Sequence, residues 1–164
     1  MDLSRPDIAP QAERAWFRFL RVEARIRVSM AARLKAVGLS IPQCDALTTL
    51  SEREGVSQQE LAAHLYVTKG NISGLVDRLE SAGLVERRPI EGDRRSYALC
   101  LTPAGRKAAE TGIAIQRQFV ADTFGRMTPK QLDDFESFLV GVRAHVRESG
   151  GGPQAILANT ARAV

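Results

Sequence analysis

Between Thr68 and Arg95 the chain gathers side chains suited to holding a polyanion: Lys69, Asn71, Ser73 and Arg78 interleaved with Gly70 and Gly74, then Asp93-Arg94-Arg95. Lysine and arginine neutralise phosphates, asparagine and serine bond to base edges or phosphate oxygens, and glycine lets a backbone approach a duplex closely. Spacing puts the first group on one helix face. With Ile72, Leu75, Val76 and Leu79 turned to a core at i, i+3, i+4 and i+7, Lys69, Gly70, Asn71, Ser73, Gly74, Asp77 and Arg78 must point outward. An ordinary surface helix would carry the same face, because a mid-helix glycine costs only about 1 kcal/mol. The Asp93-x-Arg95 spacing adds a second device. Residues two apart on a strand share a face, so Asp93 can brace Arg95 and lower what its ordering costs on binding. An arginine on a protruding loop can enter a narrow, electronegative minor groove.

These residues need a short helix pair and a hairpin to position them. Ser57 with Glu60 forms a capping box, and Val56 and Leu61 stand at staple spacing, so a first helix is predicted from Ser57 to about Leu65. A turn through Tyr66 and Val67 leads to Thr68, the cap of a second helix, as a helix-turn-helix requires. Gly83 is suited to ending that helix in the left-handed conformation. Residues 84–88 and 97–101 then read as strands flanking a longer loop, Pro89-Ile90-Glu91-Gly92-Asp93. On the second strand Leu99 and Leu101 share one face, while Ala98, Cys100 and Thr102 share the other, which leaves Cys100 partly exposed.

The run Leu75-Val76-Asp77-Arg78-Leu79-Glu80-Ser81-Ala82-Gly83-Leu84-Val85-Glu86-Arg87, with Asp93-x-Arg95 and Leu101-Thr102 behind it, resembles the winged helix-turn-helix of the multiple-antibiotic-resistance regulator (MarR) family. Beyond this segment the likeness is one of helix order and length over about residues 11–147. The resemblance implies a homodimer whose paired lobes read a pseudo-palindromic operator, with the recognition helix in the major groove and a wing arginine in the minor. By position Arg95 is that arginine, Asp93 its partner, and Arg94 a phosphate contact or a solvated charge. DNA contacts are then expected from Thr68, Lys69, Asn71, Ser73, Arg78, Arg94 and Arg95.

Long helices flank the reader. Trp16, Leu20, Ile26, Met30, Leu34 and Val37 make an apolar stripe from about Gln11 to Val37. Thr102-Pro103 starts another helix running through Ile115, Phe119, Val120 and Phe124, and Thr128 to Gln131 caps a last one carrying Leu132, Phe135, Leu139, Val142 and Val146. The fold class is mainly α with a small β-wing (α+β). Residues 11–37 and 103–147 are assigned to a dimerisation region, 40–102 to the winged lobe, and 1–10 and 148–164 to flexible termini. A monomeric bundle is the alternative to the dimer. Ser40 and Gln43 start a further helix, with Leu39 placed to staple onto Cys44.

Composition fits this reading. At 164 residues and 44% hydrophobic the chain fills one ordinary core, and a net charge of +4 favours an anionic partner. Seven bases from Arg14 to Lys35 face only Glu13 and Glu23, mostly a solvated face. His64 and His145 are far apart with no Cys or acidic cluster at ligand spacing, and there is neither a nucleophile elbow nor a glycine-rich strand-to-helix loop. Enzyme, metal and cofactor readings therefore lack their parts. Asp2, Arg5 and Asp7 interrupt any leader and no apolar run spans a bilayer, so the expected place is a bacterial cytoplasm, with no membrane partner and two free thiols.

The resemblance also implies a signal. MarR relatives commonly bind small aromatic or phenolic acids, for which Trp16 and Phe19 offer apolar walls and Arg18 or Arg21 a carboxylate partner. Release of a repressor by such a ligand is the leading reading. Thiol-based redox sensing through Cys44 is one alternative, and a winged-helix protein-interaction module is another.

Overall fold

The structure is a computed structural model that describes residues 8–90 and 93–148, without the side chains of residues 90 and 93–96. Along the chain come α1 (Ala9–Lys35), α2 (Ile41–Glu52), α3 (Gln58–Leu65), α4 (Lys69–Ser81), β1 (Val85–Ile90), β2 (Asp93–Leu101), α5 (Pro103–Thr123), a 3-10 turn at Phe124–Arg126 and α6 (Pro129–Glu148). The chain divides into two compact units, residues 1–41 and 42–164. The mainly helical fold with one antiparallel hairpin is the expected class.

The first unit is one long helix and its exit. Pro10 stands in the first turn of α1, where its missing N–H costs nothing, and Arg33 and Lys35 lie in the last turn, where cations offset the helix dipole. Glu23 and Arg27 pair one turn apart. The turn after the helix closes at Gly38, whose φ of +78° lets the Leu39 N–H bond back to the Leu34 carbonyl.

In the second unit the caps read from the sequence for α3, α4 and α6 have their hydrogen bonds. The Ser57 hydroxyl accepts from the Glu60 N–H at 3.2 Å while the Glu60 carboxylate accepts from the Ser57 N–H at 2.7 Å, a complete capping box. Thr68 accepts from the Asn71 N–H at 3.4 Å, and Thr128 and Gln131 exchange bonds of 2.9 and 3.3 Å at the start of α6. The core is aliphatic: Leu47, Leu50, Leu61, Val76, Leu79 and Leu99 are wholly buried.

The hairpin departs from expectation in one respect. Strand pairing continues through Pro89 opposite Tyr97 to Ile90 opposite Asp93, so the segment assigned to a long loop is mostly strand. Proline is tolerated there because β1 is an edge strand, with no further neighbour whose carbonyl would need the N–H that proline lacks. A second correction concerns Cys100. It is 6% exposed, because the face it shares with Ala98 is covered as well as the face of Leu99 and Leu101. The α2–α3 connection pairs with the other edge of β2. Gly55 N–H donates to the Leu99 carbonyl and Leu99 N–H to the Val56 carbonyl, each at 2.9 Å, and Ser57 bridges to Ala98. The wing thus has a third, short neighbour strand at its root.

α5 also differs in its buried face. Gly105, Ala109, Gly112 and Phe119 face inward, while Val120 lies half-exposed. Small residues let the helix start press against the end of α4. There Gly83, at φ +68°, closes a Schellman motif in which Gly83 N–H bonds to Glu80 O at 2.8 Å and Leu84 N–H to Leu79 O at 2.9 Å. The Thr102 hydroxyl donates to the Gly83 carbonyl at 2.7 Å and accepts from the Gly105 N–H at 3.0 Å, while Thr102 N–H bonds to the Leu84 carbonyl at 3.1 Å. A Cβ on Gly105 would overlap the Leu84 carbonyl oxygen and stand 3.3 Å from a Leu101 methyl. Gly105→Ala is expected to destabilise the chain by roughly 1–3 kcal/mol, the range for overpacking a rigid contact. A denaturant midpoint equal to the parent's would remove this contact from the account.

Candidate nucleic-acid interface

α4 buries Ile72, Leu75, Val76 and Leu79 and turns the rest outward, as its periodicity predicts. Lys69, Gly70, Asn71, Asp77 and Arg78 are exposed, and Ser73 and Gly74 half-buried. Nothing lies within 4 Å of the place a Cβ would take on Gly70, and at Gly74 only the Arg78 guanidinium does, at 3.5 Å. The Arg78 side chain therefore lies back along the helix over Gly74. His64 is exposed on α3, beside the turn.

The charges sort themselves by pairing. Arg87 on β1 bonds to Asp77 at 2.5 Å and to Glu80, both on α4, and reaches Gln58 on α3 at 3.5 Å. Arg88 pairs with Glu86 on the same strand. Three of the acids in this basic segment are thus taken up by two arginines. Lys69 and Arg78 have no ion-pair partner among the described residues, so their positive charge faces solvent uncompensated. Asp77, read from the sequence simply as an outward residue, instead ties α4 to the wing.

The root of the wing has its own clamp. The Glu54 carboxylate accepts from the Leu101 N–H at 3.1 Å and from both terminal nitrogens of Arg106 at 2.8 and 2.9 Å. Those bonds, the Arg106 one foremost, hold the Glu54 carboxyl below its ordinary range. Neither Arg87 nor Glu54 stood among the predicted site residues. Each partner lies 7 to 52 positions away along the chain, beyond any helical or strand periodicity.

β2 begins at Asp93, so the Asp93-Arg94-Arg95 motif lies on strand backbone, paired to β1 at Ile90. The side chains of Asp93, Arg94 and Arg95, and with them the expected brace, lie outside the described residues. Cys44 is wholly buried, and desolvation, reinforced by Asp45, pushes its thiol up. Cys100 is buried within electrostatic reach of Arg88 and Arg106, where no basic neighbour was expected. Trp16 and Phe19 stack on each other with ring centroids 6.1 Å apart, both about half exposed, beside exposed Arg18 and Arg21. Among the described residues no three His, Cys, Asp or Glu side chains form a metal-holding group, and no helix is long and apolar enough to cross a membrane. Of the termini read as flexible, 1–10 and 148–164, residues 1–7 and 149–164 are outside the described set, while Ala9 and Pro10 begin α1 and Glu148 ends α6.

A helix-turn-helix followed by a clamped two-stranded wing has clear counterparts. The MarR family profile matches residues 39–97. The HTH-type transcriptional repressor Rv2887 of Mycobacterium tuberculosis is 34% identical over 119 residues, spanning 73% of this chain and 86% of the repressor. The chain belongs to the MarR family. The crystal structure of AbsC, a MarR-family transcriptional regulator from Streptomyces coelicolor, matches with a TM-score of 0.76 at 26% identity, over 83% of this chain and 94% of AbsC. Rv2887 has been crystallised with salicylic acid, matching with a TM-score of 0.60 at 33% identity over 76% of this chain and 92% of that one. Its complex with DNA matches with a TM-score of 0.63 at 32% identity, over 77% and 94%. As a MarR-family member the chain is a helix-turn-helix transcriptional regulator and not an enzyme.

The Glu54 clamp gives this MarR-family chain a pH signature. A carboxyl whose folded-state pKa lies below its unfolded value stabilises fully above the unfolded value, and that stability is lost as pH falls through the folded one. Glu54→Gln should therefore lower stability at neutral pH and flatten its decline on acidification, read as melting temperature against pH. An acid limb as steep as the parent's would assign that proton uptake to other groups.

Proposed function

We propose that the chain is a sequence-specific reader of double-stranded DNA, acting as a homodimeric repressor on a pseudo-palindromic operator and released by a small aromatic acid. The observation that carries this reading is the outward face of α4. Lys69 and Arg78 stand there unpaired beside Asn71, with open space above Gly70 and only the Arg78 side chain over Gly74, while the neighbouring acids are occupied by Arg87 and Arg88. Such a face can lie in a major groove with Thr68 and Lys69 at its leading end, Asn71 and Ser73 toward base edges, and Arg78 on a phosphate. Arg95 enters the minor groove from the wing, braced by Asp93, and Arg94 meets the backbone. Support comes from Rv2887, whose structure with DNA matches more than nine-tenths of its own length.

Dimerisation is supported by α6. The helix buries no residue, yet Leu132, Phe135, Leu139, Val142 and Val146 recur at alternating steps of three and four, the seam of helix-to-helix packing. Two-fold pairing through such a seam would set two recognition helices about one DNA turn apart. For the effector, Rv2887 crystallised with salicylic acid supports an aryl carboxylate, with Trp16, Phe19 and Arg18 or Arg21 as its walls and charge partner. The redox alternative has less behind it, because a buried thiol pushed up by desolvation is a poor thiolate.

Binding measured against salt tests the reading. Arg95→Ala is expected to weaken operator affinity by about 1–3 kcal/mol and to reduce the salt slope by roughly one. Asn71→Ala should change sequence preference more than overall affinity. Binding that ignores salt would point to a protein-interaction module, and an unchanged Arg95→Ala affinity at matched salt would remove the wing assignment.

A further inference from the structure

Two helices of the winged lobe end in the same way with different residues. α4 closes its Schellman motif with Gly83 at φ +68°. In α3 the corresponding residue is Tyr66 at φ +53°, with Tyr66 N–H on the Ala63 carbonyl at 3.4 Å and Val67 N–H on the Ala62 carbonyl at 3.1 Å. The left-handed conformation strains a residue with a Cβ, a cost that glycine escapes. Among the described residues Tyr66 is the one non-glycine that carries it.

Packing does not repay that strain. Tyr66 is 74% exposed, more than any other large apolar side chain among those described, and its hydroxyl has no hydrogen-bond partner there. Strain maintained at a position where the folded chain makes no use of the side chain points to a use outside it. The place is specific: Tyr66 stands two residues before Thr68, the cap of α4, within the turn of the helix-turn-helix. A DNA backbone passes close to such a turn when the second helix lies in the groove.

We infer that Tyr66 is a DNA-backbone contact, its phenol hydroxyl donating a hydrogen bond to a phosphate at the leading end of the recognition helix. The inference rests on the DNA-reading function proposed above. It adds a neutral contact to the charged ones. A hydroxyl releases no counterion, so this contact strengthens binding on every sequence without steepening its salt dependence.

The experiment measures affinity of the full chain for a short random-sequence duplex and for a duplex selected by the parent protein, over a salt series, beside melting temperature. Tyr66→Phe is expected to bind both duplexes about three- to tenfold more weakly with an unchanged salt slope, as loss of one neutral hydrogen bond implies. Tyr66→Gly should bind at least as weakly as Tyr66→Phe yet melt no lower than the parent, since glycine takes the same backbone conformation without strain. Parental affinity in Tyr66→Phe, a loss confined to the selected duplex, or a lowered melting temperature in Tyr66→Gly would each overturn the assignment. Lys69→Ala serves as the reference for the underlying function. If it weakens binding and lowers the salt slope by about one while the Tyr66 variants change nothing, the phosphate contact fails and the DNA reader stands. Salt-independent binding by the parent would remove the reader, and this contact with it.

Discussion

The lobe depends on a close approach of backbone to backbone where α4 ends and α5 begins. Thr102 bonds to the Gly83 and Leu84 carbonyls and receives the Gly105 N–H, so one residue joins the end of α4, the start of the wing and the cap of the following helix. The contact exists because Gly105 has no Cβ, and its neighbours are main-chain atoms that cannot rotate away. Backbone polar groups buried there are satisfied by one another, which makes the joint stiff as well as tight. The position of the wing relative to α4 follows from it.

Charge pairing refines what the joint begins. Arg87 draws on Asp77 and Glu80 and so fastens the outward side of α4 to β1, while Glu54 fastens the loop before α3 to the last residue of β2 and to α5. Exposed pairs of this kind contribute little stability singly, about 0–1 kcal/mol each. Their effect is on geometry and on field. By occupying the acids beside the outward face of α4 they leave its unpaired bases to set the local potential.

What could be read from the sequence was what is encoded within a turn or two of chain. Ser57, Glu60, Thr68, Gly83 and Thr128 act on backbone groups at most four residues away, and the buried face of α4 is a matter of periodicity. The residues that fasten elements together escaped, because Arg87 and Glu54 find partners through the fold. Pro89 misled for a physical reason: a residue without an N–H reads as a loop, and only the edge position of β1 makes it acceptable in a strand. Cys100 reads as partly exposed because strand alternation says which face a residue occupies and not what the fold lays over that face. Tyr66 was visible as part of a turn. Its strain became visible only beside the glycine that does the same task in α4.

Gly70 and Gly74 lie on a helix whose packing does not need them. No backbone or core atom stands where their side chains would be, and helix propensity alone would favour alanine at either place by about 1 kcal/mol. The two outward glycines and the apolar face that holds the fold are therefore on opposite sides of α4. Substitutions at Gly70 and Gly74 can accumulate without disturbing the core. A regulator built this way can drift from one target sequence to another through folded intermediates, with the core unchanged throughout.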